Sequence, residues 1–242
     1  MVMGVILAGG LGKRLRPLTL ERPKPLIEVA RKPVIEHQLE WLKYYDITEV
    51  VILAGYLKEK LIEGLGSGSR LGVSLTYVIE DEPLGTGGAL RNARHILGKS
   101  ESTIVVNGDI ITNIDPWKLI DFNKKTGLTA SIAAVPLRSP YGVLDIEESM
   151  VRGFIEKPII REYWINAGVY AVTPKIVDYL PEKGDIERTT FPLLASRNEL
   201  GVVKYETPPY YWRSIDTHKD IEEAEKELKE AGGLFPPKEE PI

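Results

Sequence analysis

The segment over residues 5–26 constrains the fold most, because it joins a short apolar run to a loop that is rich in glycine. The apolar run predicts a buried strand, and three glycines within four positions let the backbone turn tightly and bring its N–H groups close to an anion. Basic residues add positive charge to the same region: Arg14, Arg16 and Lys24. A plain strand-to-helix turn is the alternative, but it does not account for Lys24 between two prolines. The segment therefore predicts a loop that binds a triphosphate.

Apolar and amphipathic segments alternate along the first half of the chain. Strand-like runs lie near residues 3–7, 50–54, 73–78 and 103–106, and helix-like segments lie near 33–44, 57–64 and 88–98. This alternation predicts an α/β fold with a Rossmann-like, mixed but mainly parallel central sheet and helices on both faces. Ligands bind beyond the carboxyl ends of the strands in such a sheet. Because the glycine loop and the Asn107-Gly108-Asp109 segment each follow a strand, we expect them to face one crevice.

The second half of the chain has a different pattern. Apolar runs over residues 129–135, 142–146, 151–156 and 165–172 are spaced like antiparallel strands joined by short turns. They predict a small antiparallel portion beside the parallel sheet. At 242 residues the chain is long enough for one large α/β domain. We expect this domain to span residues 1–231, with halves at 1–127 and 128–217, a charged helix at 218–231 and a tail at 232–242.

The charge and composition exclude several classes of protein. The net charge is -4 and the cations outside the glycine loop are dispersed, so there is no broad basic face for nucleic acid. The first apolar run is too short for a membrane span or a signal peptide. We therefore expect a cytoplasmic protein that binds small molecules and neither nucleic acid nor membrane. The chain has no cysteine, which excludes a thiol nucleophile and a zinc–cysteine site.

Residues 7–19 and the Pro-Lys-Pro-Leu segment at 23–26 together resemble the signature of the sugar-1-phosphate nucleotidyltransferases, the nucleotide-sugar pyrophosphorylases. The resemblance continues at residues 83–90, 107–109, 156–158, 166–170 and 191–192. It implies transfer of a nucleotidyl group from a nucleoside triphosphate to a sugar 1-phosphate, with release of pyrophosphate. It also implies that the antiparallel portion binds the sugar phosphate, and that a homo-oligomer or a regulatory partner subunit is possible.

The resemblance assigns the site residues one by one. The nucleotide-binding residues are Leu7, Ala8, Gly9, Gly10, Gly12, Lys13, Arg14, Lys24, Glu80, Gly85, Thr86 and Gly108. Among the catalytic residues, Arg14 would grip the departing pyrophosphate, Lys24 would stabilise charge on the α-phosphate, and Asp109 would hold a magnesium ion. The residues that would bind the sugar phosphate are Tyr141, Gly142, Glu156, Lys157, Asn166 and Gly168.

The second carboxylate for magnesium departs from the family pattern. Relatives commonly read Trp-x-Asp-Ile-Gly-Thr, whereas this chain has Ser214 at the aspartate position and Asp216 two residues later. Since side chains alternate along a strand, Asp216 lies on the same side as Ser214, and we expect Asp109 and Asp216 to hold Mg²⁺. A weakened metal site and a helix N-cap role for Asp216 are the alternatives.

Glu80 indicates the preferred base. It lies five residues before Gly85, and thymidylyl- and uridylyltransferases commonly have glutamine at the position of Glu80. A carboxylate only accepts hydrogen bonds, and guanine offers two adjacent donors, whereas uracil and thymine offer one donor between acceptors. The pattern from Glu80 onward also resembles that of mannose-1-phosphate and heptose-1-phosphate guanylyltransferases. The alternative places Glu80 in solvent beside Asp81 and Glu82.

We therefore expect GTP and mannose 1-phosphate as substrates and GDP-mannose as product. A dTDP-glucose or UDP-glucose pyrophosphorylase and a heptose-1-phosphate guanylyltransferase stay open. A different class also stays open, namely a catalytically silent subunit that binds a nucleotide sugar and regulates an active partner. Ser214 at the aspartate position favours the silent subunit. The presence of four other family residues favours an active enzyme instead: Arg14, Lys24, Asp109 and Lys157.

Overall fold

A seven-stranded sheet forms the centre of the computed structural model, which describes residues 1–235. The strands, numbered in chain order, are β1 (Val2–Ala8), β2 (Glu28–Val29), β3 (Lys32–Pro33), β4 (Glu49–Ala54), β5 (Ser74–Ile79), β6 (Ser102–Asn107), β7 (Ile110–Thr112), β8 (Ala130–Arg138), β9 (Val143–Glu147), β10 (Met150–Ile155), β11 (Ile159–Val172), β12 (Leu200–Lys204) and β13 (Trp212–Ser214). The α-helices are α1 (Leu18–Glu21), α2 (Val34–Tyr44), α3 (Lys58–Leu65), α4 (Gly85–Asn92), α5 (Arg94–Leu97), α6 (Pro116–Thr126), α7 (Thr190–Ser196) and α8 (His218–Glu230). Short 3-10 helices lie at Lys13–Leu15, Lys24–Leu26, Ser69–Leu71 and Pro174–Tyr179.

The strand order of the central sheet is β12-β8-β11-β6-β1-β4-β5. Strand β1 pairs in parallel with β6 on one side and with β4 on the other, and β5 continues the parallel run beyond β4. Strand β12 is parallel to β8, whereas β11 is antiparallel to both β6 and β8. The sheet is therefore mixed but mainly parallel, which confirms the predicted fold class.

Apolar side chains from both faces of the sheet pack against helices. Along β1, Ile6 packs in the cluster that contains side chains of α2 and α3, and its neighbour Val5 packs in the cluster of α4, α5 and α7. Both side chains are fully buried. Because successive residues of a strand point to opposite faces, a continuous apolar run such as β1 belongs in the middle of a sheet that is covered on both sides.

The separate antiparallel portion is smaller than the sequence predicts. The runs at residues 129–135 and 165–172 lie largely in β8 and β11, which are strands of the central sheet. Most of their apolar residues are buried, as expected for strands that are covered on both faces. The other two runs form the β9–β10 hairpin, an antiparallel pair outside the central sheet in which every residue of β9 is exposed.

The C-terminal helix α8 begins with a capping box. The Thr217 side chain accepts a hydrogen bond from the Asp220 N–H, and the Asp220 carboxylate accepts one from the Thr217 N–H. The N-cap role considered for Asp216 is therefore wrong. Of the predicted tail, residues 236–242 lie outside the described residues. Within residues 1–235, no helix combines the length and the apolar character that a membrane crossing needs.

Candidate active site

The carboxyl ends of β1, β5 and β6 lie at one cavity of about 500 Å³. Its lining includes all twelve residues that the sequence assigns to the nucleotide, together with Asp109 and Asp216. The remaining lining residues, to which the sequence analysis gives no role of their own, are Leu11, Pro25, Leu53, Pro83, Ala89, Asn107 and Asp185. The glycine loop and the segment after β6 therefore face one crevice, as expected.

The glycine loop has a conformation that favours glycine at position 12. Gly12 has a φ of 57°, in the left-handed region, and an added Cβ would lie 2.8 Å from Cγ2 of Thr19. The Thr19 hydroxyl donates a hydrogen bond to the Gly12 carbonyl at 2.9 Å, which stabilises the turn. Lys13 and Arg14 follow in a short 3-10 helix and line the cavity. The loop thus brings its backbone and two cations to one wall of the cavity.

Lys24 is bonded to both candidate metal ligands. Its Nζ donates to Asp109 Oδ2 at 2.6 Å and to Asp216 Oδ1 at 2.8 Å, and its side chain is only 15% exposed. Arg14 also donates to Asp216 Oδ1, at 2.8 Å, and the Ser214 hydroxyl donates to Asp216 Oδ2 at 2.9 Å. The predicted catalytic residues therefore meet in one cluster of charges.

The antiparallel pair of β7 and β13 places the two carboxylates side by side. Ser214 pairs with Ile110, and the Ile215 N–H donates to the Asp109 carbonyl at 2.8 Å. Ile215 is buried, whereas Ser214 and Asp216 on either side of it reach the cluster of Lys24. The expected two-residue alternation therefore holds beyond the end of β13.

The environment of Asp216 keeps its carboxylate charged. Burial disfavours the charged form, but the hydrogen bond and the positive charge of Lys24 outweigh burial, with smaller contributions from Ser214 and Arg14. The pKa of Asp216 is therefore lowered from its usual value. The side chain is an anion at neutral pH.

The donor set fits magnesium. Mg²⁺ is usually held by one or two carboxylates and completes its coordination with phosphate oxygens and water. Asp109 and Asp216 supply two carboxylates that already share one cation, Lys24. Over the part of the chain that the structure describes, no group of three or more His, Cys, Asp or Glu side chains is placed to hold a metal alone. A bound Mg²⁺ would therefore depend on oxygens of the substrate.

Glu80 follows β5 directly and lines the cavity, whereas its neighbour Asp81 points to solvent. The Asp81 side chain is 97% exposed and pairs with Lys58. Glu80 is half-buried, and its Oε2 accepts a hydrogen bond from the Leu84 N–H at 3.3 Å. Burial raises the pKa of Glu80, against the opposing effects of the Leu84 N–H and Lys58. The alternative that places Glu80 in solvent is therefore wrong.

Asp185 and Glu187 belong to a polar turn before α7 that lies against the start of α4. The Thr86 hydroxyl donates to Glu187 Oε2 at 2.8 Å, and an added Cβ at Gly85 would lie 3.0 Å from Asp185 Oδ1. Asp185 thereby becomes part of the cavity wall. Sequence reasoning missed both acids because they reach the site by tertiary contact with a segment about a hundred residues away, for which the chain carries no local signal.

Two of the predicted sugar-phosphate residues, Asn166 and Gly168, do not line the cavity. Asn166 donates through Nδ2 to the Tyr170 hydroxyl at 2.9 Å, and this hydroxyl donates to Glu187 Oε1 at 3.1 Å. An added Cβ at Gly168 would lie 2.9 Å from Nδ2 of Asn107, which lines the cavity. Asn166 and Gly168 therefore contact residues next to the cavity or in its wall.

The other four predicted sugar-phosphate residues flank the exposed β9–β10 hairpin and do not line the cavity: Tyr141, Gly142, Glu156 and Lys157. The side chain of Glu156 lies next to Gly142, where an added Cβ would be 3.0 Å from Glu156 Oε2. Lys157 Nζ lies 3.9 Å from Glu156 Oε1. These residues form a second polar group outside the cavity.

A family model described as "Nucleotidyl transferase" matches residues 3–231. The chain belongs to the nucleotidyl transferase family. It is 38% identical over 227 residues to a mannose-1-phosphate guanyltransferase of Debaryomyces hansenii, and 39% identical over 226 residues to one of Yarrowia lipolytica. Each match covers 90% of this chain but 62% and 61% of the relative, so the chain spans about three fifths of their length.

A solved structure has a similar fold. HddC from Yersinia pseudotuberculosis, complexed with GMP-PN, has a TM-score of 0.72 and 28% sequence identity to this chain. The match covers 94% of this chain and 100% of HddC. The family predicted from the sequence motifs is therefore confirmed.

The cavity combines groups that are suited to phosphoryl transfer. Positioning and charge neutralisation account for most of the catalysis in such reactions. The glycine loop with Lys13 and Arg14 suits a polyphosphate, and the cluster of Lys24 with two carboxylates suits a reacting phosphate with its metal ion.

Proposed function

We propose that the chain transfers a guanylyl group from GTP to mannose 1-phosphate, which gives GDP-mannose and pyrophosphate. The observation that carries this proposal is Glu80, a half-buried carboxylate in the wall of the cavity that the glycine loop also lines. The names of the relatives, mannose-1-phosphate guanyltransferases, support the sugar and the base. The GMP-PN bound to HddC supports a guanine nucleotide.

Glu80 would recognise guanine through its two adjacent donors, the ring N–H and the amino group. The carboxylate offers two acceptors, of which Oε2 is held by the Leu84 N–H. Uracil and thymine would place an acceptor against one of these oxygens. A half-buried carboxylate oxygen left without a partner costs on the order of 1 to 3 kcal/mol, which is the expected penalty for the wrong base.

The basic residues of the cavity would hold the triphosphate. The glycine loop and Lys13 would bind its β- and γ-phosphates. Arg14, whose side chain is 71% exposed, would turn from Asp216 to the pyrophosphate as it leaves. Lys24 would donate to the oxygens of the α-phosphate, where negative charge builds as the phosphate oxygen of the sugar attacks the phosphorus in line.

We also propose that Asp109 and Asp216 hold Mg²⁺. When bound, the ion would neutralise the charge of the phosphate oxygens. The two carboxylates would also position Lys24, because its Nζ donates to Asp109 Oδ2 at 2.6 Å and to Asp216 Oδ1 at 2.8 Å. Ser214 in turn holds Asp216 through its hydroxyl.

The sugar phosphate would be bound by the polar group that flanks the β9–β10 hairpin. Lys157 is a cation suited to the phosphate, and Glu156 is an acceptor suited to the sugar hydroxyls. Tyr141 and Gly142 precede the hairpin next to Glu156. Asn166 and Gly168, which are linked to the cavity wall, would lie between these residues and the nucleotide.

A catalytically silent regulatory subunit is the second candidate function, because Ser214 stands where relatives commonly have a metal-binding aspartate. The meeting of Arg14, Lys24 and Asp109 with Asp216 in one cluster supports activity instead. A cytoplasmic location, and assembly with further copies or a partner subunit, stay predictions.

A pyrophosphate-release assay tests the proposal. GTP, dTTP, UTP and ATP are each paired with mannose, glucose and heptose 1-phosphates in the presence of Mg²⁺. We expect the fastest release with GTP and mannose 1-phosphate. If no pair releases pyrophosphate while GDP-mannose still binds, the chain is the silent subunit. Fastest release with dTTP or UTP would contradict the role of Glu80.

A further inference from the structure

Gly55 lies against Glu80 just after the carboxyl end of β4. An added Cβ at Gly55 would lie 2.5 Å from Oε1 and 2.9 Å from Cγ of Glu80. Real Cβ atoms essentially never approach another heavy atom closer than 3.0 Å. The three atoms nearest to this added Cβ all belong to Glu80. A side chain at position 55 therefore competes with Glu80 for one space.

The backbone around Gly55 is tied to its neighbours. The Tyr56 N–H donates to the Gly9 carbonyl at 3.3 Å, which joins the ends of β1 and β4. The Glu80 N–H donates to the Ala54 carbonyl at 2.9 Å, which joins the ends of β4 and β5. Because both backbones are held, the Glu80 side chain is the part that moves when a methyl group is added at position 55.

Gly9 contacts Glu80 in the same way, but its position has a second role. An added Cβ at Gly9 would lie 2.3 Å from Glu80 Oε1. Gly9 also belongs to the glycine loop, so a substitution there would disturb the phosphates as well as the base. Gly55 is not among the residues that line the cavity. A substitution at Gly55 therefore reaches the substrate through Glu80.

We propose that Gly55 is a positioning residue that sets the base preference, because its lack of a side chain leaves the space into which the Glu80 carboxylate folds. The inference rests on the proposed function, in which Glu80 reads guanine. A methyl group at position 55 displaces Oε1 and disturbs the bond from the Leu84 N–H to Oε2. The guanine of GTP then loses its hydrogen bonds to the carboxylate, whereas the thymine of dTTP does not make this pair of hydrogen bonds.

The test compares catalytic efficiencies for GTP and dTTP in the full chain. Gly55→Ala is expected to lower the GTP/dTTP ratio of kcat/KM by at least about tenfold, with a raised KM for GTP and kcat within about threefold of the wild type. The matched control is Gly64→Ala in α3, where the added Cβ would lie 3.5 Å from Cδ1 of Leu26, an ordinary contact. This control is expected to leave the ratio unchanged.

A double-mutant cycle separates positioning from a general structural effect. In the Glu80→Ala background, Gly55→Ala is expected to change the ratio by less than about twofold, since the side chain that it displaces is absent. An equal loss in both backgrounds, or no loss in the wild-type background, overturns the inference. If Gly55→Ala alone does not fold, the Gly55→Ala/Glu80→Ala variant is expected to fold, and its failure to fold also overturns the inference.

Failure of the proposed function gives a different result. In that case the wild-type protein does not prefer GTP, or Glu80→Ala leaves the ratio unchanged. If Glu80→Ala lowers the ratio and folded Gly55→Ala does not, the positioning role of Gly55 alone is overturned.

Discussion

Replacing Lys24 by alanine removes the cation that joins Asp109 to Asp216. The Nζ lies 2.6 and 2.8 Å from the two carboxylates, so its position is fixed before substrate arrives. Removal of one such preorganised donor commonly lowers kcat by about 10² to 10³, or about 2.7 to 4 kcal/mol of transition-state stabilisation. We therefore expect Lys24→Ala to lower kcat by at least about a hundredfold.

The same substitution has a second, opposite effect on the metal site. Without Lys24 the two carboxylates have no shared cation, and the pKa of Asp216 loses the main influence that lowers it. Two anions that face each other without a cation attract Mg²⁺ more strongly. The Mg²⁺ concentration for half-maximal activity is therefore expected to stay equal or to fall, even though turnover is nearly lost.

The assay measures pyrophosphate release at saturating GTP and mannose 1-phosphate over a series of Mg²⁺ concentrations. Lys32→Ala is the matched control, because Lys32 makes a 2.6 Å ion pair with Glu40 and does not line the cavity. We expect the control to retain wild-type turnover. Folded Lys24→Ala with turnover within tenfold of the wild type would refute the reasoning, and a rise in the Mg²⁺ requirement would refute its second part.

Three further predictions concern the metal ligands, the base and the sugar phosphate. Asp216→Ala is expected to raise the Mg²⁺ concentration for half-maximal activity and Ser214→Ala to change it little, and a titration with the opposite ranking would return the ligand role to position 214. Burial raises the pKa of Glu80, and the preference for GTP requires the charged carboxylate. The preference is therefore expected above that pKa, and acidification should abolish it at a higher pH than for an ordinary glutamate. Ratios of kcat/KM for GTP and dTTP from pH 4 to pH 8 check this, and a flat profile would contradict it. Lys157→Ala is expected to raise KM for mannose 1-phosphate by at least about tenfold and to leave KM for GTP unchanged, and equal changes in both constants would contradict a role in binding the sugar phosphate.

Local sequence patterns were sufficient for the part of the site that follows strands directly. Gly12, Lys24 and Asp109 lie in short motifs that resemble those of the family, and all three line one cavity at the ends of the parallel strands. Asp185 and Gly55 were missed for the same physical reason. Each makes a contact by tertiary packing, with α4 and with Glu80 respectively, and neither contact leaves a pattern in the neighbouring sequence.

The spacing of the apolar runs in the second half of the chain also did not predict which strands join the central sheet. Antiparallel spacing is the same whether a strand extends the central sheet or stands apart from it. Residues 130–136 of β8 and 167–172 of β11 are mostly buried and lie in the sheet, whereas β9 and β10 are mostly exposed and form a hairpin. The difference lies in burial on the second face, which the spacing of the apolar runs does not encode.

The most direct test of guanylyl transfer compares wild type and Glu80→Gln side by side with GTP, dTTP and UTP, mannose 1-phosphate being the acceptor. The ratio of kcat/KM for GTP to that for dTTP or UTP cancels any general loss of activity. The wild type is expected to favour GTP, and Glu80→Gln is expected to reduce that preference by roughly ten- to a hundredfold, since each 1.4 kcal/mol is a factor of ten. A wild-type protein that already favours dTTP or UTP, or a ratio that Glu80→Gln does not move, would contradict the account.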